Sequence, residues 1–321
     1  MHRPRFAAAA VLACLLALAV GPLWSQTEGG GTFRILVPRS TSSLPFLVLA
    51  DEDPIPGVDV RAETYINHAQ ALIALIRGDA DALYTGTSQG WENHLGGGPL
   101  VLVNTGVWGV SYLIGSPRGQ GIRGLADLKG KRIALPFPGA PLDFQTRYLL
   151  SKAGLDPARD LQILYAPFGQ SVPLLIDGRI DAAPLPEPLA TELVENRGLR
   201  RLVDFQQAWA EVTGDPRSPQ VSLFVTRETA RRRGELLAAL AEAWRRSSQT
   251  VSRSPEAVAS RYSELLGTEA GVVARSIPYT LFEVPEFGDN RRRVEEYYEL
   301  VRAYQPEKRP ALGTEFFFVP R

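Results

Sequence analysis

Short strand-like runs alternate with stretches of helical spacing, and their order predicts the architecture. From Thr32, Phe33-Arg34-Ile35-Leu36-Val37 reads as a strand. A Ser/Thr loop from Arg39 to Ser43 follows, then a helix from Leu44 to Ala50. Val58 to Thr64 is a second strand. Asn67 is placed to cap a helix over His68–Arg77, Gly78 to stop it, and Ala82-Leu83-Tyr84 is a third strand. The order β–α–β–α–β marks a parallel sheet. It recurs as a strand at Lys131–Leu135, a helix at Leu142–Ala153, a strand at Leu161–Tyr165, a helix at Ser171–Ile176 and a strand at Ala182–Leu185.

The two halves also match residue by residue. Leu75-Ile76-Arg77-Gly78-Asp79-Ala80-Asp81-Ala82 lies over Leu175-Ile176-Asp177-Gly178-Arg179-Ile180-Asp181-Ala182, and Arg34-Ile35 lies over Arg132-Ile133. The glycines fit left-handed helix stops, and the aspartates fit the turn before a buried strand. The chain therefore reads as two α/β lobes, each a mostly parallel sheet flanked by helices. The expected boundaries are 32–112 plus 225–321 for lobe one and 113–224 for lobe two. Crossings near Ser111–Pro117 and Ser222–Thr226 would form a two-segment hinge. Leu223-Phe224-Val225 is one more strand. Helices are expected over Glu228–Val251, Pro255–Leu266 and Asn290–Tyr304, packed on lobe one.

The N-terminus changes the picture. Arg3 and Arg5 precede an uncharged run from Phe6 to Val20, Gly21-Pro22 breaks it, and Ser25 offers a small residue before Gln26. This is the layout of a secretory signal peptide over 1–25, followed by a flexible linker over 26–31. A retained membrane anchor is the alternative. Cys14 is the only cysteine. It sits in a segment resembling a lipoprotein cleavage box, so a lipid anchor there is also open. Without the leader, the chain has no thiol for a disulfide, a thiolate metal site or a nucleophile. The 321 residues carry 35 basic and 35 acidic side chains, a balance that gives no basic face for nucleic acid.

In open parallel sheets, ligands bind beyond the carboxyl ends of the strands. Four loops qualify. Lobe one offers Arg39 to Ser43 and Tyr84 to Ser88; lobe two offers Pro136 to Ala140 and Pro186-Glu187-Pro188. The candidate ligand contacts are Arg39, Ser42, Ser43, Tyr84, Thr85, Thr87, Trp108, Phe137, Gly139, Ala140 and Glu187. The hydroxyls can contact a ligand or cap helices. Glu187, stiffened between prolines, can accept from a ligand N–H or simply start a helix. Phe137 and Trp108 can stack on a flat ring or pack in the core. Asp143, in the first turn of its helix, already occupies that anion-friendly end. The chain holds no Gly-Lys-Ser/Thr phosphate loop and no His-Glu-x-x-His. The reading is of a protein that binds and does not catalyse, with no cofactor and no metal.

Two stretches carry a family resemblance. Asp127-Leu128-Lys129-Gly130-Lys131-Arg132-Ile133, and Asp177 through Pro188 with its Pro186-Glu187-Pro188 end, resemble the sulfonate, nitrate and thiamine-precursor group of ABC-transporter substrate-binding proteins. Ser218-Pro219-Gln220 before a strand and long helix also fits, and the likeness covers about residues 32 to 270. The resemblance implies a type II periplasmic-binding-protein fold, a periplasmic monomer that closes on a small molecule, and permease and ATPase partners in the membrane. Sulfonate and nitrate binders typically place Ser or Thr where this chain has Gly139-Ala140-Pro141, which turns the expectation toward a nitrogen-bearing heterocycle such as a thiamine pyrimidine precursor. Arg39 keeps an anion or zwitterion in play. A ligand-sensing subunit of a signalling system and an enzyme built on this fold are the other functions open to it; the second would need a polar catalytic cluster.

Overall fold

The structure, a computed structural model, describes residues 31–304 and 309–320. The leader, Cys14 and linker residues 26–30 lie outside the described residues. The first lobe begins β1 (Gly31–Pro38), α1 (Leu44–Asp51), β2 (Val58–Tyr65), α2 (His68–Arg77), β3 (Ala82–Gly86), α3 (Thr87–Leu95) and β4 (Leu100–Gly109). The second lobe follows as β5 (Ser111–Gly115), β6 (Arg132–Leu135), α4 (Pro141–Lys152), β7 (Gln162–Tyr165), α5 (Phe168–Ile176), β8 (Ala182–Pro186), α6 (Leu189–Arg197), β9 (Arg200–Asp204) and α7 (Phe205–Thr213). The chain then returns as β10 (Val221–Thr226), α8 (Arg227–Arg232), α9 (Gly234–Arg253), α10 (Pro255–Leu266), α11 (Ala270–Ser276), β11 (Leu281–Phe282) and α12 (Phe287–Tyr304).

The sheets run β11-β4-β10-β3-β1-β2 and β7-β6-β8-β5-β9. Within each, the strands of the β–α repeat pair in parallel, β1 with β2 and β3, β6 with β7 and β8. The strand that arrives from the other lobe runs against them. β10 is antiparallel to β3 and β4, and β5 is antiparallel to β8 and β9. The cause is geometric: the repeat strands point their carboxyl ends at the gap, whereas a strand entering across the gap must run away from it. The sheets are therefore more mixed than the repeat alone implies. The crossings also come earlier than the sequence suggests, at Val110 and over residues 214–220. Expected boundaries 112/113 and 224/225 fall inside β5 and β10, because β5 pairs wholly in the second sheet and β10 wholly in the first.

The internal repeat has a structural reason. Asp81 donates its N–H to the Arg34 carbonyl (2.9 Å), and its carboxylate accepts the Arg34 N–H (2.8 Å). Asp181 makes the same pair with Arg132, at 2.7 and 2.8 Å. Each aspartate thus ties the third strand of its βαβαβ unit to the first. Gly78 (φ 81°) and Gly178 (φ 67°) supply the left-handed stop before that clamp. Asn67 caps α2 through its side-chain oxygen, which accepts from the Gln70 N–H at 3.1 Å.

The helical run expected over Glu228–Val251 is two helices, broken at Arg233. α9 buries Leu237, Leu240 and Trp244 on the first sheet. The Trp244 ring lies 4.5 Å from Phe46 and 5.4 Å from Tyr84, centroid to centroid. Aromatic side chains of this size each remove roughly 150–250 Å² from water, so this cluster anchors lobe one. α12 departs from the expectation, because it bridges both lobes. Its Tyr297 packs on Phe144 of α4 (5.4 Å) and Trp209 of α7 (5.4 Å), and the Tyr304 hydroxyl donates to the Arg147 carbonyl (3.1 Å). The returning segment is pinned by ions. Arg217 and Arg293 both bind Asp215, at 2.8 and 2.5 Å, and Arg217 reaches Glu283 at 3.2 Å. Burial raises the Asp215 pKa, but the hydrogen bonds from Arg217 and Arg293 outweigh it and hold the carboxyl at about 2.

Candidate functional site

The strand ends of the two lobes meet. A Cβ on Gly86, at the tip of β3, would lie 3.6 Å from Cγ of Pro141, which opens α4 in the other lobe. Beside this contact lies a cavity of about 590 Å³, lined by His68, Leu72, Thr85, Gln89, Phe137 and Gly139 among others. Lobe one supplies its walls from β3, α2 and α3; the loop before α4 supplies its mouth. The volume falls in the range of small-molecule sites, about 300–1,000 Å³.

The wall is built by strand alternation. Leu83 and Thr85 face the cavity, while Tyr84 turns to the opposite side of the sheet. The Thr85 hydroxyl donates to Gln89 Oε1 and lies 3.0 Å from His68 Nδ1. The Tyr65 hydroxyl, 3.1 Å from the same Nδ1, donates to the Tyr84 carbonyl. Burial lowers the His68 pKa and so favours the neutral imidazole. At the mouth, Phe137 is 42% exposed, and Gly139 turns with φ 79° and donates its N–H to Asp143 (2.9 Å). Asp143 also accepts the Tyr165 hydroxyl at 2.9 Å. Burial raises its pKa while those donors oppose the rise. The start of α4 is therefore occupied by the protein's own carboxyl.

Of the eleven expected contacts, the cavity gathers Thr85, Phe137 and Gly139. Ala140 is buried beside them, with its N–H on the Phe137 carbonyl at 3.3 Å. The others are placed differently. Tyr84 is fully buried in the lobe-one core, because adjacent residues of a strand cannot both face the gap. Trp108 is buried too, its Nε1 donating to the Glu283 carbonyl at 3.0 Å. Thr87 is buried with its hydroxyl 2.8 Å from Ser222. Ser43 donates to the Pro38 carbonyl, and Ser42 pairs with Ser40. These hydroxyls build the loop and cap no helix. The Arg39 guanidinium rests where a Gly267 side chain would be, at the end of α10.

Glu187 is the largest revision. Its side chain is fully buried, with one oxygen 2.7 Å from Arg201 Nη1 and the other accepting the Thr191 N–H at 3.0 Å. Arg201 also donates to the Thr191 hydroxyl (3.0 Å) and lies against the rings of Tyr112 (4.0 Å) and Tyr279 (3.8 Å), which meet edge to face. The carboxylate is spent inside the protein, at the start of α6. Burial raises its pKa and Arg201 opposes the rise. Reading the sequence alone missed His68, Gln89 and Arg201. The first two were legible as the opening residues of helices that follow strand tips; Arg201, on an edge strand, gave no signal.

The NMT1-like family model matches residues 102–266, just over half of the chain. No curated protein matches it in sequence. Among solved structures it resembles an ABC transporter from Parabacteroides distasonis (TM-score 0.73, 21% identity, 89% of this chain and 98% of that one). It also resembles the periplasmic aliphatic sulphonate binding protein SsuA of Escherichia coli (0.70, 19%, 90% and 92%). A third is the alkanesulfonate-binding protein SsuA of Xanthomonas axonopodis pv. citri bound to MOPS (0.69, 20%, 87% and 96%). These neighbours are described as transport and binding proteins. At such identities the likeness establishes the fold.

Proposed function

The chain belongs to the NMT1-like family, and on that footing we propose that it is the solute-binding component of an ABC importer. It captures a small organic molecule between its lobes, as an exported monomer, and hands it to a membrane permease and ATPase. The observation that carries this reading is the cavity where strand ends of both lobes converge, with Thr85 and Gln89 on one side and Phe137 and Gly139 on the other.

The ligand is a neutral or N–H-bearing ring of the size of a thiamine pyrimidine precursor. Two of the cations support this: Arg309, which lines the cavity, is held by Glu92, and Arg201 is held by Glu187, while Arg39 rests against the end of α10. A sulfonate entering this cavity would have to displace such a pair, whereas a ring with N–H groups can use the Gln89 amide, the Thr85 hydroxyl and the Phe137 face.

Native mass spectrometry of freshly purified protein, followed by a thermal-shift panel of pyrimidines, alkanesulfonates, nitrate and amino acids, tests both levels. A ligand at about 100 Kd adds ~2.7 kcal/mol, which raises the melting temperature by several degrees. A pyrimidine shift lost in Gln89→Ala is the expected result. A shift by sulfonate alone would overturn the ligand class. No co-purified molecule and no shift across the panel would overturn the receptor reading.

A further inference from the structure

α11 and the turn after it make a set of contacts that join the lobes and that the cavity does not use. Arg275 donates through Nε and Nη2 to the Glu195 carboxylate in the last turn of α6, at 2.5–2.7 Å. Three residues past α11, the Tyr279 carbonyl accepts the Tyr112 hydroxyl at 2.7 Å. The Tyr279 ring lies 3.8 Å from the Arg201 guanidinium, which Glu187 fixes from inside lobe two. Arg275 and Tyr279 belong to the returning half of lobe one; Glu195, Tyr112 and Arg201 belong to lobe two.

The same element reaches back to the first strand of lobe one. Ser276, the last residue of α11, holds the hydroxyl of Thr41 at 2.8 Å, within the loop after β1. Tyr279 is followed by β11, whose Leu281 pairs with Gly109, one residue from the first crossing. The element therefore touches the β1 loop, the hinge and the flank of the second lobe.

We propose that α11 and its following turn brace the angle between the lobes, with Arg275 and Tyr279 as positioning residues that grip Glu195 and Arg201. Glu187 then serves ligand capture indirectly, by holding Arg201 under the Tyr279 ring. This rests on the two-lobed receptor reading, but its test needs no ligand, so the two can fail separately.

The test is a pulsed electron-spin distance measurement on the full chain with Cys14→Ser. That background carries no other cysteine, so spin labels can be placed on cysteines at Arg61 of β2 and Gln162 of β7, both exposed. The braced chain gives one narrow distance distribution. Glu195→Ala and Tyr279→Ala each raise the fraction at other distances by about two- to five-fold, the weight expected of a partly exposed contact. The reversed pair, Glu195→Arg with Arg275→Glu, restores the narrow distribution that Glu195→Arg alone loses, a rescue that general destabilisation would not give. Unchanged distributions in Glu195→Ala and Tyr279→Ala, or no rescue by the reversed pair, would overturn the proposal.

Discussion

Replacing Asp181 by alanine tests the repeat at its physical root. The substitution removes the carboxylate that accepts the Arg132 N–H at 2.8 Å and leaves the reciprocal backbone bond in place. A hydrogen bond to a charged group contributes about 1.5–3 kcal/mol. Asp181 is half-buried at a strand start, so water can replace part of the lost bond, and a cost of about 1–2 kcal/mol is expected. In a protein of this size that lowers the melting temperature by roughly 2–6 °C. Urea titration followed by circular dichroism should show a lower midpoint with an unchanged slope. Asp181→Asn keeps a neutral acceptor and should lose about half as much. Asp81→Ala, with the same geometry on Arg34, should match Asp181→Ala. An alanine variant as stable as the parent, or an asparagine variant as damaged as the alanine one, would refute the clamp.

Tyr84→Phe should leave ligand affinity unchanged and hold or raise the melting temperature, because the Tyr84 hydroxyl is buried without a hydrogen-bond partner; calorimetry reads both. Phe137→Ala should weaken binding of the co-purified molecule at least several-fold with less than about 0.5 kcal/mol lost in stability, since the ring is part-exposed at the cavity mouth; titration against urea unfolding separates the two effects. Asp215 should make stability acid-sensitive. Its folded pKa, about 2, lies below the unfolded value near 3.9, so its contribution is complete above about pH 4 and disappears as pH falls through 2. The shift corresponds to at most ~2.6 kcal/mol, and solvent screening reduces it toward ~1 kcal/mol. Asp215→Asn should lose stability at pH 7 and show a flatter acid limb between pH 4 and 2.

Local signals survived into the structure where a residue's own neighbours decide its role. Asn67 caps α2, Gly78 and Gly178 end helices in the left-handed region, and the two aspartates close two equivalent units. The candidate site was legible only in part. The sequence points to the tips of β3 and β6, with Thr85, Phe137 and Gly139, but groups Tyr84 with Thr85, two residues that strand alternation sends to opposite faces.

The periodicity and the repeat determined by themselves that there are two α/β lobes with strand tips at a shared gap, because helix stops, caps and strand alternation depend on residues a few places apart. What only the tertiary structure decided is which charged groups remain available at that gap. Glu187 is matched by Arg201 fourteen residues on, and Arg275 by Glu195 eighty residues away. Pairing at such separations follows from how helices and sheets pack, and no local pattern in the chain encodes it.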